Sequence, residues 1–141
     1  MPLLRITLAL ILGIAIGGGI NMALVILGPT LIAPPPGVDM ASAEGLRASM
    51  HLLQPRHLLM PFLAHAVGTF VGALAGSVLA VSYRSLVAYA IGTIFLCGGI
   101  AASFMIPAPT WFMVLDLTVA YLPMAWLGVS IANRVKPEAA K

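Results

Sequence analysis

Asp116, His65 and Asn21 are polar side chains set inside long apolar runs. A carboxyl group at the centre of such a run costs about 2.5–3.5 kcal/mol if the run is buried in lipid. The three residue types suit ligand holding or proton chemistry, because a carboxylate can orient an imidazole as a base while an amide both donates and accepts hydrogen bonds. Their spacing places them at one height. At 1.5 Å rise per residue, Asp116 is ~9 Å in from Thr110, His65 ~12 Å in from His57, and Asn21 ~10 Å from Gly28. Gly98 and Gly99 fall in the same layer and leave room there, and Thr69, Ser103, Thr118 and Tyr121 bring hydroxyls near it.

Three readings fit that layer. In a structural one, Asp116 and His65 satisfy each other across two helices and Asn21 bonds to backbone. In a second, the layer is an outward-opening ligand or ion site. In a third it is catalytic, with His65 as base and Asp116 orienting it. No serine or cysteine stands at an obvious spacing for a nucleophile, and the lone thiol, Cys97, is expected to be buried and inert.

A metal centre is not expected. His51, His57 and His65 with Asp39, Glu44 and Asp116 offer imidazoles and carboxylates, but His57 and His65 lie ~12 Å apart along one continuous helix. No HExxH or CxxC occurs, and Met50, Met60, Met105 and Met113, though on the same side as the histidines, lack the tight spacing of a soft-metal site. No motif names a cofactor: there is no phosphate-binding loop, and no basic-aromatic pattern points to nucleic acid.

The elements that hold these residues follow from composition. Of 141 residues, 61% are hydrophobic and 8% charged, against roughly 45–50% and 25% in a soluble domain. Mean hydropathy is +1.08. So few charges cannot cover the surface of a small soluble fold, which excludes a free cytosolic enzyme, a disordered chain and a disulfide scaffold. Four runs near residues 3–28, 57–82, 86–106 and 110–132 are long enough to cross a bilayer as helices. Gly28-Pro29, the segment 82–85 and Pro107-Ala108-Pro109 separate them. The expected fold is an all-α integral membrane protein, a four-transmembrane-helix bundle of two antiparallel hairpins in a single domain. The first run is too long for a signal-peptide core and reads as a retained helix.

Arg5, Arg84, Arg134, Lys136 and Lys141 fall on one side of such a bundle, Arg47 and Arg56 on the other. Both termini are therefore expected on the cytoplasmic side of a plasma or inner membrane, with loop 29–56 outside. In that loop Pro34-Pro35-Pro36 favours a stiff strut. Asp39 is then placed to cap an amphipathic helix near 40–53, with Ala43, Leu46, Met50 and Leu53 on one side and Glu44, Arg47 and His51 on the other. Glu44 and Arg47 are spaced for a surface ion pair. The helix would lie at the interface, and Asp39, Glu44, His51 and His57 would belong to a lid over the bundle. Arg56 and His57 also read as interfacial anchors, and Trp111, Phe112, Tyr121 and Trp126 as lipid-belt and packing residues.

Gly13 and Gly17, and Gly68, Gly72 and Gly76, form small-xxx-small stripes that suit close helix packing. Asn21 and His65 continue these stripes toward protein, and Pro123 should kink the fourth span. Residues 18–30 and 98–110 match at six positions, which suggests two related hairpins. The leading expectation is a membrane protein whose polar pocket, built from Asn21, His65, Asp116, Gly98 and Gly99, binds or passes a small molecule, lipid group or ion. The alternatives are a membrane-embedded enzyme on a lipid-like substrate using His65 and Asp116, or an accessory subunit. Expected partners are membrane lipids, with a homo-oligomer or larger complex formed through the glycine faces.

Overall fold

A computed structural model describes residues 2–135, so Lys136 and Lys141 of the charge argument lie outside the described residues. The described residues form α1 (Pro2–Leu31), α2 (Ala43–Ser49), α3 (Leu59–Ala80), α4 (Arg84–Met105), α5 (Thr110–Val119) and α6 (Leu122–Val135), with no strand among them. Four helical stretches, Leu3–Leu31, Pro55–Ala80, Arg84–Met105 and Thr110–Val135, are long and apolar enough to cross a membrane. The protein is an all-helical bundle suited to lipid.

α3 is the hub, with α1, α4 and α6 all packed on it. Against α1 the contact is backbone on backbone. A Cβ on Gly72 would sit 2.7 Å from the Gly13 carbonyl oxygen, and one on Gly17 would sit 2.6 Å from that of Gly68. Gly13 meets Gly72 and Gly76, Gly17 meets Gly68 and Gly72, and Gly28 meets Met60, so the two helices run antiparallel. Only glycine permits this approach, which compensates for the missing hydrophobic drive between helices in lipid. The opposite face of α1 is bare: Leu4, Ile11 and Ile26 are among its many exposed apolar side chains. On its other flanks α3 carries two small-residue clusters, Ala9, Ala80, Val87 and Ile91 with α1 and α4, and Ala73, Ala88, Ala125 and Val129 with α4 and α6.

Several boundaries differ from expectation. α1 passes Gly28-Pro29 and ends at Leu31, with Ile32 N–H donating to the Gly28 carbonyl at 2.8 Å. Proline in a last turn removes one hydrogen bond without stopping the helix. Its counterpart in the apparent repeat, Pro109, instead precedes the first residue of α5. Those matched residues therefore do different structural work. Pro123 acts more strongly than a kink: α5 and α6 are separate helices, broken at Ala120 and Tyr121. Having no N–H, Pro123 cannot bond back to Val119.

In the first loop, the proline run ends in a turn in which Val38 N–H donates to the Pro35 carbonyl, 3.3 Å, and Gly37 adopts φ +84°. α2 is shorter than expected, seven residues followed by a 3-10 turn over Met50–Leu52. The cap is Ser42, not Asp39: the Ser42 hydroxyl oxygen accepts from Gly45 N–H at 3.0 Å. Asp39 accepts instead from Ala41 N–H and from the Ser42 hydroxyl. These bonds turn residues 39–42 and postpone the helix. Glu44 and Arg47 form no ion pair, because the Arg47 guanidinium donates to the carbonyl of Met105 at the end of α4, 2.8 Å from Nε.

Candidate functional site

The break between α5 and α6 builds the site. Asp116 lies one turn before it and Tyr121 within it, so both side chains reach α3. The His65 Nδ1–H donates to the Asp116 carboxylate at 2.9 Å from both oxygens, and the Tyr121 hydroxyl donates to Oδ2 at 3.1 Å. The Tyr121 ring also stacks on His65, centroids 5.7 Å apart. Asp116 is buried, whereas the His65 side chain keeps 24% of its surface accessible. With Nδ1 engaged, His65 Nε2 is the site's free ring nitrogen.

Two cavities meet at that ring. The first, of about 210 Å³, lies at the end of the bundle beneath the first loop. Its floor includes His65 and Asp116, its walls include Met60 and Phe112, and Leu46, Met50 and Leu53 of the loop face it. The second, of about 300 Å³, runs deeper between α1, α3 and α4 and includes Asn21, Thr69, Gly98 and Tyr121. His65, Gly99 and Ala102 line both.

Placement of the individual residues is mixed. Asn21 lines the second cavity with His65 but bonds to neither His65 nor Asp116, and its Oδ1 is buried without a partner. The expected backbone bond to that oxygen does not form, because Asn21 lies on the glycine contact, its Cβ against Gly68. Gly98 faces open space. Gly99 does not, because a Cβ there would overlap the Tyr121 hydroxyl, so its space is taken by the protein itself. Asp39, Glu44 and His51 are exposed and line neither cavity, so the polar side of the loop does not serve as the cavity's cover. The apolar side, with Met40, does.

Of the four hydroxyls, Tyr121 joins the cluster and Thr69 lines the second cavity. Ser103 lines the first cavity but donates to the Ile100 carbonyl at 2.7 Å and makes no bond to His65. Thr118 is exposed and donates to Val114, since two residues from Asp116 is about 200° around a helix. Cys97 is exposed rather than buried.

His57 is the residue that sequence reasoning undervalued. It sits in a 3-10 turn over Pro55–Leu58 before α3, is buried, and lines the first cavity. The signal was present: Gln54 and His57, three apart, make a reciprocal cap in which Gln54 N–H donates to His57 Nδ1 at 2.9 Å. Among the described residues, no group of three His, Cys, Asp or Glu side chains is arranged to hold a metal ion. Comparisons of the chain with protein-family models, with curated proteins and with solved structures find no match.

Proposed function

We propose that this protein binds a small amphiphile in its membrane-facing crevice, with the ligand's polar end at His65 and its apolar body along the two cavities. One observation carries the reading: an accessible imidazole edge, oriented from behind by a buried carboxylate, lies where a largely apolar cavity joins a second one lined in part by Asn21, Thr69 and Tyr121. Sites of this kind, apolar with few convergent polar groups, are where ligands bind. In this reading the bundle stands as two antiparallel hairpins in a plasma or inner membrane, both termini cytoplasmic. Arg47 and Arg56 then mark the outer side, and α2 lies at the outer interface, moored by Arg47 to the end of α4.

Photolabelling in lipid nanodiscs with a diazirine-bearing long-chain alcohol tests this. Labels are expected on peptides containing Met50, Met60 and Met113, competed by unlabelled alcohol and lost in Met113→Trp, which fills the first cavity. Labelling spread over the bare face of α1, unchanged by Met113→Trp, would overturn it.

A second reading, a membrane-embedded enzyme acting on the same class of ligand, is supported by the His65–Asp116 orientation, which is that of a general base. It requires a pH-dependent turnover that His65→Gln abolishes while labelling persists.

A further inference from the structure

The crevice also carries information about which amphiphile it takes, an inference that rests on the binding reading above. His57 is 2% exposed, and its ring is fixed by the Gln54 N–H, which donates to Nδ1. A nitrogen that accepts carries no proton, so the proton of this ring is on Nε2. An N–H on Nδ1 would face the Gln54 N–H, so the cap selects the Nε2–H form of the ring. His57 Nε2 is thus a buried donor with no protein acceptor, in a residue on the wall of the first cavity. Unmet donors of this kind are unfavourable and call for an acceptor.

At the floor the polarity is reversed. His65 gives its Nδ1–H to Asp116, which leaves Nε2 of the neutral ring as an acceptor. Asp116 is already occupied by His65 and Tyr121, and neither cavity is lined by a lysine or arginine. An anionic head would therefore find no counter-charge, and a cationic one would approach the Asp116 carboxylate only past the His65 and Tyr121 groups that donate to it. The two imidazoles together offer one uncharged donor and one uncharged acceptor, beside the unpartnered Asn21 Oδ1 and Thr69 hydroxyl of the second cavity, also uncharged.

We infer that the ligand is a neutral, hydroxyl-bearing lipid, an acylglycerol or a long-chain alcohol, whose oxygen accepts from His57 Nε2–H and whose hydroxyl donates toward His65 Nε2. Met40, Met50, Met60 and Met113 line the same cavity, and unbranched thioethers repack readily around a head group.

The test compares diazirine probes of one chain length in nanodiscs: monoacylglycerol, primary alcohol, fatty acid at alkaline pH, primary amine, and the alkane with no head. Monoacylglycerol or alcohol is expected to label the cavity peptides about tenfold more strongly than the alkane, the gain of one hydrogen bond to a buried group. The stronger of the two identifies the source. Fatty acid and amine are expected at or below the alkane. In His57→Phe the neutral-head preference should fall about fivefold. Because that change also removes the cap, the unaltered protein with ¹⁵N-histidine is read in parallel, where the neutral lipid should shift the His57 Nε2–H resonance and the alkane should not. Equal labelling by all five probes, stronger labelling by the acid or amine, or an unmoved Nε2–H resonance overturns the neutral-lipid assignment while the pocket stands. If no probe labels the cavity, the binding reading itself fails.

Discussion

The contact between His65 and Asp116 should behave as a coupled pair, and a double-mutant cycle measures it. In His65→Ala the buried Asp116 carboxylate keeps only the Tyr121 hydroxyl, 3.1 Å away. Removing one donor from a buried charged group costs about 1.5–3 kcal/mol. The lower end applies here, because the His65 side is 24% accessible and partly screened. Asp116→Asn preserves shape and one acceptor oxygen. It exchanges charge-assisted hydrogen bonds for neutral ones, a loss of about 1–3 kcal/mol. The double variant has no orphaned charge, so its loss should fall short of the sum of the singles by about 1–3 kcal/mol. Ordinary hydrogen bonds between membrane helices average only about 0.6 kcal/mol, so a coupling above ~1 kcal/mol identifies a charge-assisted bond to the buried carboxylate. The assay is reversible unfolding in mixed micelles on titration with a denaturing detergent, followed by helical circular dichroism. Additivity within about 0.5 kcal/mol would refute the pair.

Two further predictions concern what holds the site in place. The Asp39 carboxyl is held below its ordinary value of 3.8 by the Ser42 hydroxyl and the Ala41 N–H. Its contribution to the turn is complete above that ordinary value and is lost as pH falls through the lower, folded-state value. The protection of the Gly45 amide, its exchange rate taken relative to the intrinsic rate at each pH, should accordingly stay flat from neutrality down to about pH 5 and fall at greater acidity, a dependence absent in Asp39→Asn. In the α1–α3 contact, Gly72→Ala places a methyl 2.7 Å from the Gly13 carbonyl oxygen and should destabilise the bundle by about 1–3 kcal/mol in the same unfolding assay. Gly18→Ala meets nothing within 4 Å and should be neutral or stabilising by up to ~1 kcal/mol, so equal losses at both positions would contradict the packing.

Much of the helical content was legible because it rests on length and apolarity alone, and the meeting of His65 with Asp116 followed from height along the helices. Legibility stopped where direction around a helix mattered. Asn21 has the right height, yet its contact with Gly68 keeps it apart from the carboxylate. Thr118 is close to Asp116 in sequence and on the wrong face. Gly99 reads as free space because a sequence does not show that the Tyr121 hydroxyl fills it. In the first loop, Ser42 and Asp39 are equally plausible caps by residue type, and hydrogen bonds three residues apart decide between them. His57 reads in the sequence as a lid residue and as an anchor at the membrane surface, although Gln54 three residues earlier gives it a cap partner that draws it inside.

The arrangement of satisfied and unsatisfied groups decides where function can reside. Asp116, the residue most conspicuous in the sequence, has its carboxylate engaged by two donors and is buried, so a ligand gains little by approaching it. Its effect is exerted through His65: by fixing Nδ1 it presents Nε2 to the cavities, and the same break at Ala120 and Tyr121 brings Tyr121 onto the ring. A structural role for the pair and a binding role for the layer are therefore compatible, since the carboxylate ties His65 and Tyr121 together while His57 and His65 line the first cavity. It follows that Asp116→Asn should weaken ligand retention less than loss of His65. The amide still accepts from Nδ1–H and keeps the ring's direction, whereas His65→Ala removes the contacting atom. Photolabelling of the two variants at matched folded fraction distinguishes them, and an Asp116→Asn protein that loses all labelling while His65→Ala retains it would place the contact on the carboxylate instead.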